Sequence, residues 1–224
     1  GGAGNTKLFG GAGNDTIYGD AGDDVIVGGT GDDNFKNNYS GYSYGNDTYQ
    51  FSKGDGIDTL NDYDPPAGNI DTVQFMDVTS TELTGIYNSG GNLIITYGSS
   101  DQVTINGYFN QAATQIEQFK FSDGVTWSVA DIKTKAVFKG TSGNDTLVGT
   151  AANDTFDGGA GTDTLRGGAG NDTYKFGLGY GTDTIQDNDT TVGNVDVLQF
   201  LSGTTIDQLW FKQSGNHLEV SIIG

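Results

Sequence analysis

The stretch GGAGNTKLFGGAGNDTIYGDAGDDVIVGGTGDDNFK, residues 1–36, divides without a gap into four units of nine residues. Positions one, two and four of each unit are small or turn-forming, position eight is large and apolar, and Asp15, Asp24 and Asp33 hold position six of the last three. Glycines followed by one inward-pointing apolar residue predict a six-residue turn and a three-residue strand. Glycine suits such turns because they call for positive φ or close backbone approach. Two units then close one coil of 18 residues, and stacked coils pair their strands in parallel.

A second run of the same unit spans 140–175: GTSGNDTLV, GTAANDTFD, GGAGTDTLR and GGAGNDTYK. Each run continues in weaker form. After the insertion NNYSG (37–41) come YSYGNDTYQ (42–50) and KGDGIDTLN (53–61), and the second run skips two residues to LGYGTDTIQ (178–186). The halves superpose as a tandem duplication, GNIDTVQF (68–75) falling on GNVDVLQF (193–200) and GGNLIIT (90–96) on GNHLEVS (215–221). The second copy has no counterpart of 104–132, which suggests a piece of a longer array.

The position-eight side chains expected inside the roll are Leu8, Ile17, Ile26, Phe35, Tyr49 and Leu60, then Leu147, Phe156, Leu165, Tyr174 and Ile185. Residues 68–138 change to period-two runs such as DTVQF, NLIITY and DQVTING, with NSGGN (88–92) as a hairpin turn signal. This segment is expected to form an antiparallel cap, with Phe109, Phe119, Phe121 and Trp127 as its small core. The divisions are therefore a first roll (1–67), its cap (68–139), a second roll (140–192) and the start of a second cap (193–224).

Composition narrows the chemistry. Only 34% of the residues are apolar and 38 are Gly, which excludes a helical bundle. A formal charge of −19 makes nucleic acid a poor partner and calls for a counter-cation before the chain becomes compact. With no cysteine and a single histidine, His217, neither disulfides nor thiolate or imidazole metal sites are available. No apolar run is long enough to span a membrane. Position-six aspartates one coil apart lie one strand spacing from each other, about 4.7–4.9 Å. With turn carbonyls around them they form an all-oxygen cage, which suits calcium better than magnesium.

These units resemble the RTX family, the haemolysin-type calcium-binding repeats GGxGxDxUx, and IEQFKFSDGVTWSVADI (116–132) is similar to the segment that commonly follows them. The resemblance implies an all-β fold, a right-handed parallel β-roll in two tandem blocks, each followed by a small antiparallel cap. It also implies that each calcium sits between turns one coil apart. The lower turn gives the carbonyls of positions two and four plus its Asp, and the upper turn gives those of one and three plus its Asp. One site would thus use Gly11, Gly13 and Asp15 with Gly28, Thr30 and Asp33, and a second Asp20, Gly22 and Asp24 with Tyr42, Tyr44 and Asp47. A third would use Gly29, Gly31 and Asp33 with Lys53, Asp55 and Asp58. In the second run the sets are Thr141, Gly143 and Asp145 with Gly158, Ala160 and Asp163, then Thr150, Ala152 and Asp154 with Gly167, Ala169 and Asp172, then Gly159, Gly161 and Asp163 with Leu178, Tyr180 and Asp183. That makes about six ions. Thr6 in place of Asp leaves a Thr6/Asp24 site one carboxylate short, and Ala152 replaces a position-four glycine.

The resemblance further implies a calcium-dependent folding segment of a larger secreted protein, whether toxin, adhesin or exoenzyme, exported by a type I system. The alternative is a module gripping a glycan or a cell surface, through the caps or the tyrosines at 39, 42 and 44. GYSYG (41–45) matches the G-x-S-x-G of esterases, but Ser43 leads into a repeat turn and strand instead of a helix, so no enzyme is expected. Asp23/Asp24 and Asp32/Asp33 could suggest paired-carboxylate hydrolysis. Periodicity assigns the second of each pair to calcium and leaves the first as a solvated neighbour adding negative field.

Overall fold

The computed structural model describes residues 2, 4–36, 45–63, 68–215 and 217–223. It divides into two compact units, Gly1–Ala136 and Val137–Gly224. Both are built almost entirely of short strands, so the parallel β-roll expected from the repeats is what the chain forms.

In the first unit the strands are β1 (Lys7–Ala12), β2 (Thr16–Tyr18), β3 (Val25–Thr30), β4 (Asn34–Lys36), β5 (Thr48–Phe51), β6 (Ile57–Asn61), β7 (Thr72–Phe75), β8 (Gly85–Ser89), β9 (Asn92–Tyr97), β10 (Asp101–Ile105), β11 (Gln118–Lys120) and β12 (Thr126–Ser128). Odd units form one sheet and even units the other, as a two-unit coil requires. The parallel series β1-β3-β5-β7-β11 keeps Leu8, Ile26, Tyr49, Val73 and Phe119 in one column. Facing it, β2-β4-β6-β10 aligns Ile17, Phe35, Leu60 and Ile105. Ile26, Phe35, Tyr49 and Leu60 are buried, and Phe35 packs edge-on against Tyr49 and Phe51 with centroids 6.0 and 5.4 Å away. Side chains of this size fill the narrow space between sheets and bury the apolar area that the short strands alone lack.

The cap differs from the expectation. Thr72–Phe75 and Gln118–Lys120 continue the roll in parallel, while β8-β9-β10 and the β11-β12 pair run antiparallel. Its aromatics also form no core of their own. Phe119 and Phe121 belong to one cluster with the roll residues, against which Phe109 and Trp127 pack from the side. Phe75 ties the two together, stacking on Phe121 at 5.3 Å and meeting Tyr97 edge-on at 5.1 Å. The period-two pattern hid this because a strand buried on the roll side and half-covered outside alternates whichever way its neighbour runs. Helix α1 (Val129–Lys135) comes next, closed at its start by a Ser128–Asp131 capping box.

The second unit has β13 (Val137–Lys139), β14 (Thr146–Val148), β15 (Thr155–Asp157), β16 (Thr164–Arg166), β17 (Thr173–Phe176), β18 (Thr184–Ile185), β19 (Val197–Phe200), β20 (Leu209–Ser214) and β21 (His217–Ile222). Strand β13 pairs with β15 in register, Phe138 on Phe156, so residues 137–139 open the second roll rather than closing the first cap. Strands β15-β17-β19 and β14-β16-β18 are the two faces. The core is smaller: Phe156, Leu165 and Tyr174 are buried, with Phe156 stacked at 5.1 Å on Phe138 and 5.2 Å on Tyr174. Ile185, expected inside, is 37% exposed because β18 is the last strand of its face.

Candidate metal-binding turns

The turns bring the position-six aspartates of odd units into one column and those of even units into another, each joined rung to rung. In each case the backbone N–H of the lower Asp donates to Oδ1 of the Asp one coil up: Asp15 to Asp33 (2.8 Å), Asp24 to Asp47 (2.9 Å) and Asp33 to Asp58 (2.9 Å). In the second unit Asp145 donates to Asp163, Asp154 to Asp172 and Asp163 to Asp183, each at 2.9 Å. All six expected pairs are therefore neighbours. Thr6 joins the odd-unit column as a donor, its N–H and hydroxyl both reaching Asp24 Oδ1.

The second oxygens are the chemically unfinished ones. Oδ2 of Asp15, Asp24, Asp33, Asp163, Asp172 and Asp183 is buried with no hydrogen-bond partner. An unpaired buried carboxylate oxygen is costly, and like charges one rung away add to the cost. Burial, then the neighbouring carboxylates, push Asp33, Asp58, Asp172 and Asp183 above the usual carboxylate range, Asp58 to about 7.

The position-one carbonyls of Gly28, Gly158 and Gly167 approach Oδ2 of Asp15, Asp145 and Asp154. A Cβ on Gly10 would meet Gly28 O at 2.6 Å and Asp15 Oδ2 at 2.7 Å, so those two oxygens share one small volume. One on Gly19 would meet Oδ2 of both Asp24 and Asp47. The carbonyls of Gly11, Gly13, Gly22, Gly31, Thr141, Gly143, Thr150, Ala152 and Gly161 each face the α-carbon of the glycine one coil above. The position-three carbonyls of Thr30, Asp55 and Tyr180 accept the N–H of Gly13, Gly31 and Gly161 below them. The donor set is all oxygen, which fits a hard divalent cation.

Other named residues fall out differently. Lys53 donates its N–H to Asp77 Oδ1 (2.9 Å), Leu178 is exposed, and Ala160 and Ala169 lie in their turns as the register requires. Tyr39, Tyr42, Ser43 and Tyr44 lie outside the described residues. His217 is an exposed residue of β21.

The Asp145/Asp163 and Asp154/Asp172 pairs differ from the rest. Thr at position two donates both N–H and hydroxyl to the Oδ2 below which an ion would sit: Thr141 to Asp145 at 2.7 and 2.9 Å, Thr150 to Asp154 at 2.6 and 2.9 Å. The same hydroxyls cap Gly143 N and Ala152 N at 3.1 Å. In the ideal turns position two is glycine with positive φ, as at Gly11 (115°) and Gly29 (101°), a conformation a β-branched residue avoids. Those two turns close on their own threonine.

A further ladder of position-five side chains runs beside each aspartate column with opposite polarity, and the periodicity alone did not reveal it. Position-five side chains accept from the turn above: Asn5 from Asp23 N, Asn14 from Asp32 N, Asp23 from Asn46 N and Asp32 from Ile57 N. Asn144 and Asn153 do the same for Thr162 and Asn171. Asp23 and Asp32 are exposed, as solvated neighbours should be, and serve as rungs as well. The bonds to Asn46 hold the Asp23 carboxyl below its ordinary value. The recurrence of Asn or Asp at position five was the available signal. Also unmarked in the sequence are the rungs that extend the aspartate columns past the nonapeptides, Asp47 to Asp71 (2.7 Å), Asp71 to Glu117 (2.8 Å) and Asp172 to Asp196 (3.0 Å).

Fold and turns together define a parallel β-roll whose coils are joined through stacked carboxylates. Residues 1–35 and 139–174 match the model of the RTX calcium-binding nonapeptide repeat (4 copies), and residues 92–131 match that of the haemolysin-type calcium binding protein related domain. The two repeat runs belong to the RTX family of calcium-binding repeats. The iron-regulated protein FrpA of Neisseria meningitidis serogroup C is 34% identical over 104 residues, 45% of this chain. The match spans 9% of that relative's length. The extracellular lipase LipA of Serratia marcescens is a structural neighbour at 20% identity and a TM-score of 0.28, covering 96% of this chain and 36% of the lipase. The in-register parallel strands of both faces define the roll independently of that likeness. Among the described residues no helix is long and apolar enough to cross a membrane.

Proposed function

We propose that this chain is a non-enzymatic, calcium-folded spacer of a larger secreted polypeptide. The observation that carries the reading is the row of buried, partnerless Oδ2 atoms at Asp15, Asp24, Asp33 and Asp163, that of Asp15 beside the Gly28 carbonyl and that of Asp24 beside the Asp47 carboxylate. Bound calcium would supply the positive charge that stacked carboxylates lack. Asp15 with Asp33, Asp24 with Asp47, Asp33 with Asp58, Asp145 with Asp163, Asp154 with Asp172 and Asp163 with Asp183 would hold about six ions, with the turn carbonyls named above. The two threonine-closed turns would bind most weakly, since their carboxylates must first release Thr141 and Thr150.

A chain of charge −19 whose folding needs calcium stays extended where calcium is scarce and folds where it is abundant. That supports export in the unfolded state, by a type I route, with folding outside. Circular dichroism during a calcium titration tests the reading. A sigmoidal gain of β signal is expected, and a chain equally folded in excess chelator would sink it. Ester turnover lost in Ser43→Ala would overturn the non-enzymatic part.

A further inference from the structure

We infer that Asp172, Asp187 and Asp196 form an additional divalent-cation site, outside the nonapeptide pattern, on the rung above the last regular turn of the second roll. One carboxylate oxygen from each of the three lies within 4.8 Å of the other two. No salt bridge reaches any of them among the described residues. Three carboxylates this close repel one another strongly, and among the described residues no ion pair relieves it.

The direction of each oxygen separates this site from its regular neighbour. Asp172 is fully buried (0%), and its Oδ1 accepts Asp154 N–H from the rung below. Its Oδ2, which has no partner, is therefore the oxygen left for the rung above. That rung is Asp196, whose Oδ1 accepts Asp172 N–H at 3.0 Å, the relation seen in every regular pair. Asp196 comes 24 residues after Asp172 and stands in GNVDVLQF, which lacks the glycine turn, so periodicity passes over it.

Asp187 supplies the third carboxylate. Its Oδ2 accepts the Tyr174 hydroxyl at 2.9 Å and its Oδ1 the N–H of Asp189 at 3.2 Å, which fixes its orientation. A Cβ on Gly167 would collide with both the Tyr174 hydroxyl and Asp172 Oδ2, so these groups line the same space. The first copy retains all three acids at matching positions: Asp47, Asp62 and Asp71 are each buried, and Asp47 N–H donates to Asp71 Oδ1 at 2.7 Å. Only oxygen ligands are offered, so the ion is a hard divalent cation, and calcium is the one the repeats already select.

The inference rests on the calcium reading for the identity of its ion, and the test keeps the two apart. Calorimetric calcium counts on the full chain should fall by one equivalent in Asp187→Asn and in Asp196→Asn, with unchanged circular dichroism at saturating calcium. Asp187→Glu, which keeps a carboxylate, should restore the count. Asp187 and Asp196 belong to none of the six regular pairs. An unchanged count in both Asn variants overturns the site, and so does failure of both to fold at saturating calcium, which would make the three acids structural. A wild-type chain that takes up no calcium would instead sink the parent reading.

Discussion

At the scale of the residue, whether position two of a turn is glycine or threonine decides what its aspartate does. Gly29 has φ of 101°, and a Cβ there would run into the Gly11 carbonyl. Gly29→Ala should therefore destabilise the first unit by about 1–3 kcal/mol. A rightward shift of its calcium-folding midpoint is the readout. Threonine at the same position avoids that conformation and occupies the carboxylate itself. In Thr150→Gly, Asp154 Oδ2 loses the Thr150 hydroxyl donor and keeps only the backbone N–H at that position, which leaves it more available. Hydrogen bonds to charged groups are worth about 1.5–3 kcal/mol each, so calcium binding by the second unit should tighten about tenfold after the entropic cost of glycine. Calorimetry checks it, and unchanged or weaker binding contradicts the clamp.

At the scale of the element, a strand of three residues is held more by its turns than by its ladder. Asp58 shows the cost without metal. Burial and the Asp33 and Asp55 charges raise it from 3.8 to about 7. Between those two values the folded state binds a proton that the unfolded state does not, so stability falls as pH rises from about 4 to 7 and levels off above. In chelator the first unit should accordingly gain protection on acidification from pH 7 toward 4.5, and Asp58→Asn should remove that part of the slope, as read by hydrogen exchange. The core side of the strands offers a second check. Phe156 is sandwiched between Phe138 and Tyr174 in a core of three buried residues. Phe156→Ala should cost about 3–5 kcal/mol and unfold residues 137–200 at temperatures where β3–β7 remain protected.

Much of the fold was legible in the amino-acid order, for a physical reason. Asp at position six and an apolar residue at position eight recur at a fixed interval, so both columns and both faces come from counting. What escaped counting depends on register across coils. Asn14 and Asp32 look like ordinary solvated side chains until Asp32 N–H is seen directly above the Asn14 side chain. Asp71, Glu117 and Asp196 carry the columns forward without glycines to mark them, so 68–75 read as cap while it was still roll. The threonine clamp was hidden for a different reason. Thr141 and Thr150 alter only which oxygen is free, and residue type alone does not report that.

At the scale of the whole molecule, the two units have their own cores, and each column of aspartates runs within one unit. Removal of calcium from the intact chain should unfold the second unit at a higher free calcium concentration than the first. It has the smaller core and both threonine-closed turns. Two transitions resolved in a chelator titration by segment-specific hydrogen exchange would bear this out, and a single coincident transition would count against it.

The polarity of the aspartate columns also imposes a timetable. Each turn donates an N–H and waits for a carboxylate that arrives later in the chain, 18 residues on for Asp15 and 25 for Asp33. Asp71 waits longest, because its acceptor is Glu117, 46 residues downstream. A chain emerging amino end first thus folds one coil behind its own growing point, and the first roll stays open at its last rung until the cap has emerged. Chains stopped before Glu117 should show β1–β5 protected while the Asp71 amide still exchanges freely, whereas early protection at Asp71 would mean another group closes that rung.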